Sequence, residues 1–562
     1  MPMNTPRVAT PVRSLNVSFA QSSRSFLAFS VLTLLASSPT QAQTAATVPA
    51  GGAAPSPAAT APVGIFENHS DVGVAPVPGK AVFDADKKTY TITGGGNDIW
   101  AKVDAFQYAW KQMSGNFTLS ADIAILDNPT ATPQAHRKGV LMIRQSLDAD
   151  APFVDAALHG NGLTALQFRE TKGDAVRTVH SDIVGPVRLR IEKHGDAVTL
   201  FVGKAGEDPK YTGASYSLKF QEPFYVGFGV SAHNGNDTST NQETVVFSNV
   251  ELKTDLPATT PKLYATLETQ VSNPVNAAQS QGTDRAVLYV SPDAIEGPVW
   301  LPDNSAIIFS SGGHLMKLPI KLPPRAPAPV VANAPVAAGE PVIIATPGLN
   351  AVSRVHGLSP DGSQIIFVNH PPGQPRPAAN TYMLPLAGGT PQLLTPNTGA
   401  GSTLSPHGNI FAYDTDTVAD IYTIPLDGSA PATRLTMGAG KNYGPQFSHD
   451  GNSIIFCSDR SGTMQIWQMK PDGTELKQLT NDDYNNWFPH WSPNDNAILF
   501  ISYPKTVTAD SANTEIQVRR LNPATGTIDF MARILGGPTS APTWSPSGGQ
   551  QQIVFVSYQW VY

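Results

Sequence analysis

The sequence contains Gly357-Leu358-Ser359-Pro360-Asp361-Gly362, one of six related motifs between Val299 and the C-terminus. The other copies read Val299-Trp300-Leu301-Pro302-Asp303, Thr403-Leu404-Ser405-Pro406-His407-Gly408, Gln446-Phe447-Ser448-His449-Asp450-Gly451, His490-Trp491-Ser492-Pro493-Asn494-Asp495 and Thr543-Trp544-Ser545-Pro546-Ser547-Gly548. Measured at the Pro, or at His449 in the fourth copy, the intervals are 58, 46, 43, 44 and 53 residues. A repeat of this length is typical of solenoids, propellers and arrays.

Each copy of the motif predicts a β-hairpin, because its Pro-Asp-Gly turn lies between two short runs rich in apolar and aromatic residues. Six hairpins, each completed by two outer strands, predict a six-bladed β-propeller over residues 260–562. The Pro- and Ala-rich segment 318–345 interrupts the first repeat and predicts a loop insertion. After the last motif only one further strand is visible. We therefore expect strand-like runs at 262–267 and 285–290 to complete the last blade, since an open ring would leave unpaired edges.

The N-terminus has the pattern of an export signal. Arginines precede the apolar run 26–35, and Thr40-Gln41-Ala42 fits a cleavage site. We predict a signal peptide over residues 1–42, with an uncleaved anchor as the alternative, followed by an Ala/Pro-rich linker over residues 43–63. The expected location is periplasmic or secreted, and the mature chain is not expected to be embedded in the membrane.

The charge balance argues against a nucleic-acid partner. Residues 1–42 contain three Arg and no acidic residue, so the remainder has 34 Lys and Arg against 44 Asp and Glu, a net charge of −10. No stretch is basic enough to track a phosphate backbone. Cys457 is the only cysteine, which excludes an intrachain disulfide, and its apolar surroundings predict a buried side chain.

Residues 64–255 have the alternating pattern of short strands. Clear examples are Thr89–Thr93, Phe117–Ile123, Val187–Glu192, Val198–Val202 and Phe224–Val230. Many short strands without helical periodicity predict a β-sandwich of two antiparallel sheets. The fold class expected for the whole chain is therefore all-β.

Four motifs in this region resemble the concanavalin A-like jelly-roll domains of bacterial secreted proteins. They are Gly95-Gly96-Asn97-Asp98-Ile99-Trp100, Lys138-Gly139-Val140-Leu141-Met142-Ile143-Arg144, Val230-Ser231-Ala232-His233-Asn234 and Val245-Val246-Phe247-Ser248-Asn249-Val250. The resemblance implies a fold and leaves the ligand open, because this fold serves many functions.

The repeats resemble the TolB-type propeller. The fullest copy runs from Asn452 through Ser458-Asp459-Arg460-Ser461-Gly462 to Leu479-Thr480. Together, the two resemblances imply an exported bacterial protein of TolB-like type, and a protein-interaction scaffold is one function that follows from them.

Polar and aromatic residues precede the innermost strands of several predicted blades, where they would line the mouth of the central channel. The candidate ligand-binding residues are Arg354, His356, Asn442, Tyr443, Gln446, Asn485, Asn486, Trp487 and His490. Buried amides and imidazoles need hydrogen-bond partners, so these side chains suit either a sugar stacked on Trp487 or a polar network that satisfies itself.

A catalytic metal is a weaker alternative. The propeller also resembles lyases of oligogalacturonides, which hold manganese with histidines and a glutamine, as His356, His490 and Gln446 would have to do. However, His356 aligns with Pro489 rather than with His490, and Ser402 stands where a third histidine would help. We expect no cofactor and no metal, with a divalent ion in the channel as the alternative.

These observations predict an exported, non-catalytic recognition protein that binds a glycan or an envelope protein through the channel mouth, the jelly-roll domain or both. A polysaccharide lyase or glycosidase acting in the channel and a periplasmic scaffold are the alternatives. A glycosidase needs two carboxylates across one cleft, and the sequence before the innermost strands offers no such pair.

Overall fold

The computed structural model describes residues 62–127, 134–185, 187–236, 238–256, 260–271, 284–321, 336–370, 379–396, 398–399, 401–415, 417–506, 514–536, 541–546 and 552–561. The predicted signal peptide, and the predicted linker up to residue 61, lie outside these residues. All regular elements within the described ranges are β-strands. The described residues contain no helix long and apolar enough to cross a membrane.

The described residues up to residue 253 form fourteen strands. They are β1 (Asn68–Val72), β2 (Lys80–Asp84), β3 (Thr89–Gly94), β4 (Phe106–Met113), β5 (Phe117–Ile125), β6 (Lys138–Arg144), β7 (Phe153–His159), β8 (Leu163–Arg169), β9 (Arg177–Val184), β10 (Val187–His194), β11 (Ala197–Lys204), β12 (Lys210–Ser217), β13 (Phe224–Ser231) and β14 (Glu243–Lys253). The five strand runs predicted from alternation all lie within these elements.

These strands form two sheets with one apolar core between them. One sheet has the order β12-β11-β10-β5-β14-β3-β2, and the other contains β1-β4-β13-β6-β7-β8-β9. Alternate residues of the central strands point into the shared core, as Leu189 and Ile191 of β10 and Leu141 and Ile143 of β6 do. The alternation read from the sequence is thus the alternation of the sheet faces.

The remaining twenty-five strands follow from residue 262 onward. They are β15 (Lys262–Val271), β16 (Asp284–Ser291), β17 (Ile295–Trp300), β18 (Ala306–Ser311), β19 (His314–Lys321), β20 (Val336–Ala337), β21 (Val342–Ile344), β22 (Val352–Leu358), β23 (Gln364–Asn369), β24 (Asn380–Pro385), β25 (Gln392–Thr395), β26 (Ser402–Leu404), β27 (Ile410–Asp414), β28 (Ile421–Pro425), β29 (Thr433–Arg434), β30 (Asn442–Phe447), β31 (Ile454–Ser458), β32 (Gln465–Met469), β33 (Lys477–Gln478), β34 (Tyr484–Trp491), β35 (Ile498–Pro504), β36 (Thr514–Leu521), β37 (Ile528–Gly536), β38 (Thr543–Trp544) and β39 (Gln552–Val561).

Five antiparallel sheets are the blades of a β-propeller. The first contains β17-β18-β19, with both β20 and β21 paired to β19, and the other four are β22 to β25, β26 to β29, β30 to β33 and β34 to β37. In each blade the repeated motif joins the first strand to the second. The serine of the motif stabilises the turn. The Ser359 hydroxyl oxygen accepts a hydrogen bond from the Gln364 amide (2.9 Å), and the Ser448 hydroxyl oxygen accepts one from the Ser453 amide (3.0 Å).

The two ends of this region pair with each other, as the sequence predicts. β39 is antiparallel to β15 from Lys262 opposite Val561 to Val271 opposite Gln552. β38, β39, β15 and β16 are consecutive neighbours in one sheet. The Thr543 hydroxyl donates to the Pro298 carbonyl (2.6 Å), and the Trp544 indole donates to the His490 carbonyl (3.2 Å). This four-stranded segment therefore contacts both the first and the fifth blade.

The same segment continues into the sandwich. β16 pairs in parallel with β9, which joins seven sandwich strands and the four strands β16-β15-β39-β38 into one eleven-stranded sheet. Around this junction Glu170 forms an ion pair with Arg533, and the Arg177 guanidinium lies 5.4 Å from the Phe530 ring centre. The predicted boundary near residues 255–260 falls between β14 and β15, but the two regions share a sheet.

The predicted loop 318–345 is shorter than expected. Residues 318–321 belong to β19, where Leu318 is buried, and residues 342–344 form β21, which pairs with β19. The Pro and Ala content masked these short strands in the sequence. Residues 322–335 lie outside the described part of the chain.

Candidate functional site

A cavity of about 70 Å³ lies where the innermost strands of the propeller meet. Residues of β17, β22, β26, β30, β34 and β38 line it, including Val299, His356, Thr403, Gln446, His490 and Thr543. The position of the lining residues, next to the motif in each repeat, is the position from which the sequence predicted a channel.

A repeated irregularity shapes this cavity. The pairing register shifts between Glu296 and Val299, between Tyr443 and Gln446, and between Trp487 and His490. In each case two residues oppose a single residue of the next strand; the pairs are Gly297-Pro298, Gly444-Pro445 and Phe488-Pro489, and their first residues have φ of 60°, 62° and 53°. Such β-bulges redirect the side chains that follow them. They are the local reason why His490 lines the cavity.

Phe488 is unusual because a bulky side chain occupies a left-handed position that glycine occupies in two other blades. Its ring lines the cavity, and the Arg354 guanidinium lies 5.5 Å from the ring centre. Arg354 also forms an ion pair with Glu296, with Nε 3.4 Å from Oε2. These contacts hold Arg354 at the cavity wall.

His356 and His490 both line the cavity. His356 Nδ1 lies 2.5 Å from the Ser402 hydroxyl, whereas its buried Nε2 has no hydrogen-bond partner among the described residues. Burial, with smaller contributions from Arg354 and His490, lowers the pKa of His356 to about 3. Burial lowers the pKa of His490 to about 4. Both imidazoles are therefore neutral at pH 7, and each offers one donor and one acceptor nitrogen.

Gln446 also lines the cavity, but its side-chain oxygen accepts a hydrogen bond from the Trp491 amide (2.6 Å). It ties blade four to blade five. None of the described residues that line the cavity is acidic. Within the described ranges, no group of three or more His, Cys, Asp or Glu side chains is arranged to hold a metal ion.

The structure places the predicted amides elsewhere. Asn486 is fully buried, and its amide nitrogen donates to Gln465 (2.9 Å), Thr480 (3.2 Å) and Asp482 (3.1 Å). Its oxygen accepts from the Ser502 hydroxyl (2.7 Å). Because three of these partners precede β34, the amide ties blade five to the end of blade four. Asn486 therefore fits the alternative interpretation, in which the polar side chains bond to one another and not to a ligand.

Asn442 occupies the equivalent position in blade four and makes the equivalent tie. Its amide nitrogen donates to Asp420 Oδ1 (3.0 Å), and its oxygen accepts from Arg460 Nη2 (2.6 Å). The Asn485 oxygen accepts from the Met464 amide (3.2 Å). None of these three asparagines lines the cavity.

Tyr443 and Trp487 also contact each other across the interface between blades four and five. The rings of Tyr443 and Trp487 stack with centres 5.9 Å apart and an interplanar angle of 30°, and neither residue lines the cavity. Thus Arg354, His356, Gln446 and His490 come together, whereas the other five candidates do not join them. Sequence reasoning missed Val299 and Thr543, although their positions immediately before Trp300 and Trp544 carried the same signal as Gln446 and His490.

Comparisons with known proteins agree with this fold. Residues 355–560 match the TolB beta propeller domain. An uncharacterized protein of Agrobacterium fabrum is 32% identical over 277 residues, which are 48% of this chain and 87% of that protein. The Tol-Pal system protein TolB of Bordetella pertussis is 30% identical over 119 residues, 20% of this chain and 26% of that protein.

A solved structure of a TolB-type protein from Agrobacterium tumefaciens covers 53% of this chain and 99% of its own, with 28% identity and a TM-score of 0.44. The sequence relationship to the A. fabrum protein extends over most of that relative. The chain described here belongs to the TolB β-propeller family.

Proposed function

We propose that this protein is an exported scaffold that binds a protein partner at the mouth of its propeller channel. The observation that carries the proposal is the character of the cavity, which measures about 70 Å³ and is lined by neutral imidazoles, hydroxyls and one arginine. Pockets that enclose small molecules usually measure about 300–1,000 Å³. A cavity of this size suits a single side chain inserted from a partner better than an enclosed sugar.

The architecture we propose is a six-bladed ring joined to a concanavalin A-like domain. The order β38-β39-β15-β16 and the contacts of Thr543 and Trp544 with two neighbouring blades support a sixth blade. The two packed sheets of residues 64–255 support the sandwich, and the four sequence motifs favour the jelly-roll type. A closed ring leaves only short, protected sheet edges.

The proposed location is periplasmic or secreted. It rests on the predicted signal peptide and on the relationship to a protein named for the Tol-Pal system. Since the matched region covers 26% of that relative, its assembly is not transferred to this chain. The family model that matches this chain is that of the TolB propeller, over residues 355–560, and this match favours a protein-binding role.

The glycan-binding and lyase alternatives have less support. The Trp487 ring stacks on Tyr443 and does not line the cavity, so it is not positioned to stack on a sugar bound there. The Gln446 side-chain oxygen already accepts from the Trp491 amide, which leaves the imidazoles of His356 and His490 as candidate metal ligands among the described lining residues. Two such ligands are fewer than the three or more protein ligands of typical catalytic metal sites.

Site-specific photocrosslinking in the producing bacterium tests the proposal. A photoreactive residue replaces Thr403 at the cavity, and the matched control replaces the exposed Thr433 on the outer strand β29. We expect Thr403 to crosslink one defined envelope protein, and the purified partner to bind wild type but not a His490→Trp variant that fills the cavity. Equal crosslinking from both positions, or saturable glycan binding that His490→Trp abolishes, would contradict the scaffold.

A further inference from the structure

A second and larger cavity lies on the outer face of the sandwich, away from the propeller channel. It measures about 220 Å³. Its floor is the solvent-facing side of β5 and β10, and its walls include Pro209 before β12 and Leu256 after β14. We call it the β10 groove. The floor of the groove is therefore formed by strands, and its walls by the segments that flank them.

The strand registers align polar side chains across this floor. Glu251, Ser120 and Arg190 are neighbours in one row, and Lys253, Thr118 and Glu192 are neighbours in the next. The outward residues of β10 are Arg188, Arg190, Glu192 and His194, all of which are ionisable. The floor therefore presents cations, hydroxyls and carboxylate acceptors within the space of one small molecule.

The two arginines of the floor differ in their partners. Arg188 donates to Asp122 (3.2 Å), to the Asn249 carbonyl (2.9 Å) and to Ser120 (3.2 Å). Arg190, in contrast, makes one long hydrogen bond to Asp208 (3.4 Å) and a loose ion pair in which its buried Nε lies 3.6 Å from Glu192 Oε2. The Nη2 end of its guanidinium makes no hydrogen bond to a described residue, so this end is available to a ligand.

The Arg190 side chain is held in a fixed orientation, and its ion pair with Asp208 is weak. Its guanidinium stacks on Phe201, with 4.0 Å to the ring centre, which fixes the plane of the fork. The Asp208 side chain is 92% exposed, so it can turn into solvent, and an exposed ion pair of this kind contributes little. An incoming oxyanion would replace a weak contact with a two-pronged, charge-assisted one.

We propose that the β10 groove binds a sugar unit that carries an oxyanion. Arg190 takes the carboxylate or phosphate, while Thr118, Ser120 and the Glu192 carboxylate bond the ring hydroxyls. Glu192 is 8% exposed and is already oriented by His194, with Oε1 2.9 Å from Nε2. Pro209 and Leu256 offer apolar contact to the ring carbons. This site is independent of the partner proposed for the propeller channel.

Titration calorimetry on the mature chain at low salt tests the site with three probes: glucuronic acid, glucose 6-phosphate and glucose. We expect at least one of the two anions to bind saturably and glucose not to bind. Arg190→Gln is expected to weaken binding by about ten-fold or more, since it removes charge-assisted hydrogen bonds. Arg190→Lys keeps the charge but cannot donate two parallel hydrogen bonds, so its affinity is expected to lie between those of wild type and Arg190→Gln.

Lys219→Gln is the matched control, because it removes an exposed sandwich cation that does not line the groove. It should bind as wild type does, and all variants should retain the wild-type thermal melt. Binding of glucuronic acid alone identifies a carboxylate site, and binding of glucose 6-phosphate alone identifies a phosphate site. Equal affinity of Arg190→Gln and wild type, binding of glucose, or no saturable binding of either anion overturns the proposal.

Discussion

At the scale of single residues, asparagines in the repeats hold the blades together. Asn442 and Asn486 lie five positions before the large apolar residue of their motifs, and each bonds the preceding blade. The sequence shows that these residues are polar and near an innermost strand. It does not show that their partners come from the previous blade, because that depends on how neighbouring repeats pack. For this reason, sequence reasoning assigned them to a ligand site.

Replacing Asn486 with alanine tests this structural role. The variant loses four hydrogen bonds and leaves the buried Ser502 hydroxyl proton without its acceptor, so we expect the free energy of unfolding to fall by about 2–4 kcal/mol. The matched control is Asn485→Ala, which loses one contact to the Met464 amide and should cost about 1 kcal/mol or less. Denaturant unfolding measures both. Equal losses would contradict the interblade tie.

His490 makes the stability of the propeller depend on pH. In the unfolded chain a histidine has a pKa of ~6.5, whereas burial lowers the pKa of folded His490 to about 4. Between these values the unfolded state takes up a proton that the folded state does not, so stability falls as pH drops from about 6.5 toward 4. Relative to His490→Gln, wild type should lose roughly 1–2 kcal/mol between pH 7 and pH 5. Unfolding curves of both proteins at both pH values measure this loss. Equal losses in wild type and His490→Gln would contradict the prediction, because they would mean that the His490 imidazole is exposed to water.

At the scale of elements, the turns of the propeller are predictable and the bulges are not. The Ser-Pro-Asp-Gly turn depends on local hydrogen bonds, such as that between Ser359 and the Gln364 amide. Neighbouring residues therefore determine it, and it can be predicted from the sequence. The bulge at Phe488-Pro489 instead inserts a residue into the register with β35. After that insertion, simple alternation no longer tells which of Trp487 and His490 lines the cavity.

The bulge in blade one offers a sharp test, because Gly297 has φ of 60° and a Cβ there would overlap the Val355 carbonyl oxygen of the next blade. Gly297→Ala should therefore cost about 2 kcal/mol or more, through both backbone strain and overlap. Gly428→Ala is the control, since Gly428 has φ of 71° and no neighbour within 4 Å of an added Cβ. It should cost about 1 kcal/mol from strain alone. Thermal unfolding compares the two, and similar losses would mean that blades one and two are further apart than described.

At the scale of the whole molecule, two regions with separate sequence patterns share one sheet. The sequence separates them because their turns differ, and their cores are indeed distinct apart from a few residues such as Val287, which packs into the sandwich core. The pairing of β9 with β16 is not visible in either pattern, since an edge strand has the same composition whether or not another strand joins it.

Residues 64–255 should fold on their own, because their core lies almost entirely within those limits. Expressed alone, this fragment should be a soluble β protein with a cooperative melt. Its melting temperature should be below that of the sandwich in the full chain, since β9 loses β16 and Glu170 loses Arg533. Circular dichroism during heating measures the transition. An aggregated fragment would mean that the junction is obligatory for folding.

The central claim is that strands from both ends of the propeller region form one sheet and so close the ring of blades. A pair of cysteines tests it most directly, in a Cys457→Ala background: Thr266→Cys with Ser557→Cys, which face each other across β15 and β39. Opposed positions in antiparallel strands are close enough for a disulfide. Mass spectrometry of the oxidised, folded protein should find this disulfide in nearly all molecules. It should find none in the control pair Thr269→Cys with Ser557→Cys, which is three residues out of register. Free thiols in the matched pair, or equal crosslinking in both pairs, would contradict the closure.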